Sequence, residues 1–404
     1  MISKSPSNSI NSSVAEFTCP VCNSNNLKFF LELPDVPVFC NLLFKTRDEA
    51  LNCPKGSIKL AFCISCSHIM NVAFDPNLLD YTQVYENPLD YSPKFQTYRQ
   101  SLAKMLIEQY TLDNKDIISI GCGKGSFISS LCELGNNRGI GFDPALQRID
   151  EPLEISSKVK LIKEYYSEQH SNYPCDLFVC RHVLEHIFHP KAFLSMIRRT
   201  IGTNQNTAVF FEVPNALVIF QRFFIWDIIY EHYSYFTPIS LTRIFLLSKF
   251  NVRHLHECFE GQFLGIHASP NKQVITDFSE QRIQIDQIAK DIKTFAASYK
   301  QVVNKWRRKL EQKKEEGQRV VIWGTGSKGV TFLNTFKNSH IEYAVDINPK
   351  KQGKYVAGTG QQIVSPSFLQ HYRPDVIIVM NPIYKQEIQN VIDQLGISSC
   401  IETP

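Results

Sequence analysis

The sequence has no long apolar run and no strong imbalance of charge, and these absences limit what the protein can be. No apolar stretch in the 404 residues reaches the roughly 20 residues that a transmembrane helix needs, so no membrane association is expected. The net charge is only +4, and no long basic cluster occurs. A nucleic acid is therefore not an expected partner. Apolar residues make up 43% of the chain, an ordinary share for a globular protein.

The first 16 residues lack the apolar core of a signal peptide. They are rich in serine and asparagine, and we expect residues 1–16 to form a disordered tail. Twelve cysteines without a secretion signal indicate reduced thiols or metal ligands rather than a disulfide framework. We therefore expect a cytoplasmic protein, with two to four domains given its length.

Two Cys-x-x-Cys pairs stand near the N-terminus, about forty residues apart. Cys19 and Cys22 form the first pair, and Cys63 and Cys66 form the second. Four converging thiolates suit a tetrahedral, structural zinc ion, which would order a segment too small for a large core. The alternative is four free cysteines or a redox pair. The insert between the pairs is predicted to be loop and short strand.

The central stretch, residues 117–143, has the pattern of a nucleoside-binding unit. A short apolar strand leads into Gly121-x-Gly123-x-Gly125, a helix follows, and a second strand ends at Asp143. An acid about 20 residues beyond the glycines is placed to accept the hydroxyls of a ribose. This Gly-x-Gly-x-Gly loop resembles motif I of the class I S-adenosylmethionine methyltransferases, although Ser119 stands where that family usually has an acid. The alternative is an ordinary glycine-rich turn.

Two later stretches carry histidines beside predicted strand ends. Residues 181–186 read Arg-His-Val-Leu-Glu-His after a short buried strand, and residues 230–232 read Tyr-Glu-His among aromatics. In the second stretch, a carboxylate and an imidazole among aromatics are suited to general base catalysis, and the alternative is a helix N-terminus with a satisfied histidine. In the first stretch, His186 is either a substrate contact or a polar residue at a helix start. His182, Glu185 and His186 also suggest a metal site, an interpretation we do not favour.

The C-terminal part has a second glycine motif. A predicted amphipathic connector helix with apolar residues at Ile288, Ile292 and Phe295 precedes it. Gly324-x-Gly326-x-x-Gly329 then follows a strand, and a second strand ends at Asp346. Alone, this pattern would predict a dinucleotide site. The domain is short, so a half-Rossmann sheet is expected.

Taken together, the order of motifs resembles the three-domain C-methyltransferases, whose best-understood members methylate a carbon of nucleotide-linked deoxysugars. The resemblance covers nearly all of residues 18–403. It implies an α/β protein with a zinc-binding domain (17–80), a class I methyltransferase Rossmann-like domain (81–270), a helical connector (271–317) and a C-terminal half-Rossmann domain (318–404). The C-terminal glycines are then expected to serve packing or substrate-phosphate contacts.

The resemblance also implies roles for individual residues. The four cysteines bind zinc, and Gly121, Gly123 and Asp143 hold S-adenosylmethionine. His232 is the expected base with Glu231 beside it, and Tyr85 and His186 belong to the substrate pocket. The neighbouring candidates for cofactor binding are Cys122, Gly125, Pro144 and Arg181. In the related sugar enzymes a tyrosine is often separated from the Glu-His pair by one residue, whereas Tyr230 here directly precedes Glu231, so a tyrosine-assisted enolate is not expected.

The resulting hypothesis is methylation of a carbon of a nucleotide-linked keto-sugar through an enolate. The alternatives are O- or N-methylation of another small metabolite, or an NAD-dependent oxidoreductase or nucleotide-binding module that uses the C-terminal loop.

Overall fold

The structure is a computed structural model that describes residues 17–79, 89–146, 153–275 and 277–404. The expected tail (1–16) and Tyr85 lie outside the described residues. None of the helices in the described ranges is long and apolar enough to cross a membrane.

The N-terminal unit is an antiparallel sheet, whose elements are β1 (Leu27–Pro37), α1 (Arg47–Leu51), β2 (Lys55–Cys63) and β3 (Ile69–Asn71). The prediction of loop and short strand between the cysteine pairs was wrong, because β1 runs for 11 residues. Proline is tolerated there because β1 is an edge strand, and its register shifts between Phe29 and Leu31 and between Leu33 and Val36.

The middle unit is built around a mostly parallel sheet. Its elements are α2 (Pro93–Tyr110), β4 (Asp116–Ile120), α3 (Ser126–Leu134), β5 (Arg138–Phe142), β6 (Leu153–Ser156), β7 (Val159–Ile162), β8 (Leu177–Arg181), α4 (Pro190–Ile201), β9 (Ala208–Pro214), α5 (Ala216–Gln221), β10 (Ser234–Tyr235), α6 (Pro238–Leu247), β11 (Phe250–Cys258) and β12 (Phe263–Pro270).

The strand order of this sheet locates its ligand crevice. The order is β11-β12-β9-β8-β4-β5-β7-β6, with β9, β8, β4, β5 and β7 parallel. The chain proceeds from β4 to β5 and β7 on one side, then crosses to β8 on the other. Ligands of such sheets bind outside the carboxyl ends of the strands at this reversal. Strand β10 leaves the middle unit and pairs with β3, which joins the N-terminal sheet to the same core.

The C-terminal unit is a second parallel sheet behind a long helix. Its elements are α7 (Arg282–Glu315), β13 (Val320–Trp323), α8 (Ser327–Thr335), β14 (Tyr343–Val345), β15 (Gln362–Val364), α9 (Leu369–Tyr372), β16 (Val376–Val379), α10 (Lys385–Gln394) and β17 (Cys400–Glu402). The order β15-β14-β13-β16-β17 again reverses beside the glycine loop, as in half of a Rossmann fold.

The predicted amphipathic helix is present as α7, and its apolar stripe is buried. Ile288, Ile292 and Phe295 are at most 6% exposed. The Phe295 ring packs edge-on against Phe220 at 4.9 Å and stacks on Phe223 at 5.9 Å. The helix therefore attaches the C-terminal unit to the middle unit through aromatic packing.

Replacing Phe295 by alanine should lower the free energy of unfolding by about 3–5 kcal/mol, because it removes a fully buried ring and leaves a cavity. Urea denaturation measures this change. Ile283 on the same helix is 83% exposed, and Ile283→Ala should change the stability by less than about 0.5 kcal/mol. Equal effects of the two substitutions would show that the stripe does not hold the units together.

Candidate functional site

The carboxyl ends of both parallel sheets open into one cavity of about 1070 Å³. The middle unit contributes the loop after β4, Asp143 after β5 and the segment after β8. The C-terminal unit contributes its own glycine loop and the residues that follow β14 and β16. Because both sheets reverse their strand order at this cavity, each presents its expected ligand crevice to the other.

The glycine loop after β4 has the geometry that its sequence predicts. Gly121, Gly123 and Gly125 have φ angles of 66°, 55° and 81°, which glycine adopts without strain. A Cβ on Gly121 would lie 2.2 Å from Val183, whereas a Cβ on Gly123 would meet nothing within 4 Å. Open space over Gly123 leaves room for a ligand against the main chain.

Asp143 lies beside this loop at the end of β5. Its carboxylate accepts hydrogen bonds from the N–H groups of Gly123 at 2.8 Å and Ala145 at 2.8 Å. Burial raises the pKa of Asp143, while these two donors act against that rise. Cys122, Pro144 and Arg181 also line the cavity, whereas Gly125 precedes α3 and is not among the lining residues. The arrangement fits the ribose of a nucleoside cofactor.

Arg181 is held by a carboxylate that sequence reasoning did not single out. Its Nε and Nη2 donate to Glu212 Oε1 at 3.0 and 2.7 Å, and its guanidinium lies 4.3 Å from the centre of the Phe127 ring. Glu212 is fully buried and also contacts Tyr98 and, at 2.9 Å, His182. Burial alone would raise the pKa of Glu212, but Arg181 and His182 outweigh it and hold the pKa at about 2.

The structure brings His186 and His232 together in the cavity wall. Their rings are 5.0 Å apart, edge to face. His186 Nδ1 lies 2.9 Å from the backbone oxygen of Glu231. Because a carbonyl only accepts, Nδ1 carries the hydrogen and Nε2 of the neutral ring keeps its lone pair. Burial is the main cause that lowers the pKa of His186, to about 4, so this ring is neutral near neutral pH.

The side chain of Glu231, unlike those of His186 and His232, does not line the cavity among the described residues. Its carboxylate is fully buried and accepts a hydrogen bond from the backbone N–H of Cys40 at 2.9 Å, on the N-terminal unit. The hydroxyl of the preceding Tyr230 likewise points to the N-terminal unit, where it accepts from the N–H of Asp75 at 2.8 Å.

The four predicted metal-ligating cysteines converge in the N-terminal unit. Cys19 Sγ lies 3.5 Å from Cys66 Sγ, Cys22 Sγ lies 3.6 Å from Cys63 Sγ, and all four sulfurs are within 4.8 Å of one another. Around zinc, with Zn–S bonds of about 2.3 Å, tetrahedral geometry places sulfurs about 3.8 Å apart. The sulfurs therefore fit a closed zinc site, which leaves no open position for catalysis.

Comparisons with known proteins agree with this architecture. A family model described as a methyltransferase domain matches residues 94–255, and one described as the C-methyltransferase C-terminal domain matches residues 268–396. The two matches together support a C-methyltransferase family. It is a methyltransferase, and the methyl donor of this class of enzyme is S-adenosylmethionine. No curated protein matches the chain.

Several solved structures are similar over part of the chain. The magnesium protoporphyrin IX methyltransferase of Synechocystis PCC 6803 is 14% identical, with 47% of this chain and 91% of that chain covered and a TM-score of 0.34. The 1,6-didemethyltoxoflavin N1-methyltransferase of Burkholderia thailandensis is 12% identical, with 51% and 96% covered and a TM-score of 0.33. A methyltransferase from Listeria monocytogenes is 12% identical, with 44% and 100% covered and a TM-score of 0.33.

Asp143→Ala should weaken binding of S-adenosylhomocysteine at least about tenfold, because hydrogen bonds to a carboxylate contribute about 1.5–3 kcal/mol. Calorimetric titration measures this loss. Asp346→Ala provides the matched control at the other sheet and should leave the affinity within about twofold. Equal affinities of wild type and Asp143→Ala would remove Asp143 from the cofactor site.

The purified protein should contain about one zinc ion, held by the four cysteines. Cys63→Ser should lose the metal and lower the melting temperature, because metal binding stabilises a unit with a small core of its own. Metal analysis by mass spectrometry and thermal denaturation check both effects. The exposed Cys400 supplies the control, since Cys400→Ser should keep the metal. Full zinc content in Cys63→Ser would contradict the site.

Proposed function

We propose that this enzyme transfers a methyl group to a carbon next to the carbonyl of a nucleotide-linked sugar. The observation that carries the proposal is the shared cavity, which extends from the loop at Gly121 to the glycine loop at Gly324. Pockets for a single drug-sized ligand measure about 300–1,000 Å³. A cavity of about 1070 Å³ between two nucleotide-type folds suits a nucleoside cofactor together with a substrate that carries its own nucleotide.

The cofactor end would be formed by the loop after β4. The open face of Gly123 would receive the cofactor, and Asp143 would accept its ribose hydroxyls. When bound, S-adenosylmethionine supplies an electrophilic methyl group on a sulfonium. The residues of the chain therefore have to hold the acceptor carbon in line, exclude water and remove a proton.

His232 is the proposed base. Carbon becomes nucleophilic when a proton next to a carbonyl is removed, and an imidazole with a lone pair in the cavity accepts such a proton. Burial lowers the pKa of His232 well below its usual value, and the nearby His186, His182 and Lys328 lower it further. The ring is consequently neutral at neutral pH, so its lone pair is not blocked by a proton.

Glu231 and His186 have positioning roles in this proposal. The carboxylate of Glu231 attaches the segment to Cys40, and its backbone oxygen orients the ring of His186. His186 lines the cavity beside the base and would contact the substrate. Tyr85, which the family resemblance assigns to the substrate pocket, lies outside the described residues.

The substrate end would be formed by the C-terminal unit. Lys328, Lys350 and Lys351 line the cavity, and Lys328 lies in the first turn of α8 while Lys351 donates to the backbone oxygen of Thr325, just before it. The ammonium group of Lys351 is buried and bonds to Asn41 Oδ1 at 3.0 Å, and that of Lys328 contacts Asp227. Positive charge beside a helix N-terminus favours an anion, and the diphosphate of a nucleotide sugar is such a group.

His232→Asn should lower kcat on a keto-sugar nucleotide by about 10²–10⁴-fold while the affinity for S-adenosylhomocysteine stays within about twofold. His371 is exposed, and His371→Asn should retain full activity. Since the pKa of His232 is lowered, wild-type activity that depends on the neutral ring should persist below about pH 6.5 and fall only at more acidic pH. Comparable turnover by His232→Asn would remove His232 from the mechanism.

The position of the transferred methyl group separates carbon methylation from its alternatives. With isotope-labelled methyl donor, NMR of the product should show the label bonded to a ring carbon. A label on oxygen or nitrogen would contradict the proposal and leave the enzyme as an O- or N-methyltransferase that uses the same base.

A further inference from the structure

Glu185 is a buried carboxyl group in the cavity wall that the proposed mechanism does not yet use. It follows β8 in a single 3₁₀ turn, Leu184–His186, and is only 2% exposed. It lines the cavity, and its Oε2 has no hydrogen-bond partner among the described residues. An unsatisfied buried polar atom is costly, so this oxygen points to a ligand group that enters the cavity.

The described groups around Glu185 do not supply a cation that would keep it ionised. Its Oε1 lies 3.9 Å from His182 Nδ1 and 4.0 Å from His186 Nε2, which is too long for hydrogen bonds. Burial, with a smaller contribution from the charge of Glu212, raises the pKa of Glu185 to about 8, although its own backbone N–H acts against the rise. At neutral pH the group is therefore mainly a carboxylic acid, which has an O–H to donate.

An enolate mechanism needs such a donor. When the proton leaves carbon, negative charge develops on the carbonyl oxygen, and a donor aimed at that oxygen stabilises the transition state. Tyr230 does not serve this role, because its hydroxyl is engaged with Asp75. One atom each of Glu185, His186 and His232 lie within 4.8 Å of one another, so a substrate group between them can meet a base and a donor together.

We propose that Glu185 is a catalytic residue that donates a hydrogen bond from its neutral carboxyl group to the carbonyl oxygen of the substrate. This inference rests on the proposed function. His232 takes the proton from carbon, the electron pair of that C–H bond forms the C=C bond of the enolate, and the π pair of the carbonyl moves onto its oxygen. The C=C pair then forms the C–C bond to the methyl group as the bond from methyl to sulfur breaks and its electrons stay on sulfur, and the oxygen pair restores the carbonyl. The proton on His232 passes to solvent, and Glu185 keeps its own proton throughout.

The protonation of Glu185 is tested without a substrate. Carbon-13 NMR of the full-length protein, labelled at glutamate Cδ, should contain one resonance that is absent from Glu185→Gln and that titrates near pH 8 rather than near the usual value of about 4.3. Glu168, which pairs with Arg199 at the surface, gives the control, because Glu168→Gln should retain that resonance. A Glu185 resonance that titrates below about pH 5 would overturn the proposal.

The catalytic role is tested by comparing Glu185→Gln with Glu185→Met on a keto-sugar nucleotide. The glutamine keeps an N–H donor, and we expect about a tenfold loss of kcat, whereas the methionine removes the donor and should cost about 10²–10³-fold. Neither change should alter the affinity for S-adenosylhomocysteine by more than about twofold. Wild-type activity should fall above about pH 8 as the acid ionises, and this fall should be absent from Glu185→Gln.

Two results would contradict the role in different ways. If both variants are equally inactive and wild-type turnover rises with added Mg²⁺ or Mn²⁺, the three residues hold a cation and Glu185 is a ligand rather than a donor. If wild type methylates no carbon of any keto-sugar nucleotide, the proposed function fails and the enolate role fails with it. In that case the NMR titration still decides separately whether Glu185 is a neutral acid.

Discussion

The structure depends on one geometric constraint, which is that two parallel sheets direct their carboxyl ends into the same cavity. Each sheet alone would be an open crevice beside a glycine loop. Their juxtaposition is maintained by polar contacts at the cavity edge, where the side-chain amides of Gln262 and Asn381 bond to each other at 2.9 and 3.1 Å. The buried ammonium group of Lys351 also bonds to Asn41 on the N-terminal unit. The cavity therefore belongs to the assembled chain, and no unit contains it alone.

Inside this cavity, two buried carboxyl groups have opposite protonation because their neighbours differ. Glu212 receives two N–H bonds from Arg181 and contacts His182, so it stays ionised in spite of complete burial. Glu185 has no such cation among the described residues, and burial raises its pKa to about 8, so it is a neutral acid near neutral pH. Because their pKa values differ, the ionised Glu212 acts as a hydrogen-bond acceptor and the neutral Glu185 can act as a donor, although both are buried beside the same cavity. Glu212 thus orients Arg181 and His182, while Glu185 remains available to a ligand.

The sequence predicted much of the fold because its signals are local. Glycines at fixed spacing, an acid at the next strand end and paired cysteines each have a short-range physical meaning, and the structure brings the four cysteines together and places Gly121 and Asp143 side by side. The direction of adjacent side chains in the segment around Glu231 was not predictable, because an irregular segment has no period that assigns faces. No signal in the sequence indicates that Lys328, Lys350 and Lys351 line this cavity. Their position depends on contacts between distant parts of the chain, such as the bond from Lys351 to Asn41.

The C-terminal loop shows why a glycine motif alone does not establish a dinucleotide site. A Cβ on Gly329 would lie 2.0 Å from the backbone oxygen of Gly324, so this glycine is required by packing within the loop. Asp346, the acid that a dinucleotide site would use to hold a ribose, already accepts from the N–H and hydroxyl of Thr325 and from the N–H of Asn348. It is only 9% exposed. The spacing that suits a pyrophosphate is therefore also the spacing that lets a strand, a tight turn and a helix pack closely. Asp143 at the first loop likewise accepts two N–H bonds, but Asp346 accepts the Thr325 hydroxyl in addition. In the C-terminal sheet the carboxylate of Asp346 is therefore bonded within its own glycine loop. The carboxyl edge of this sheet closes the cavity that the middle sheet opens.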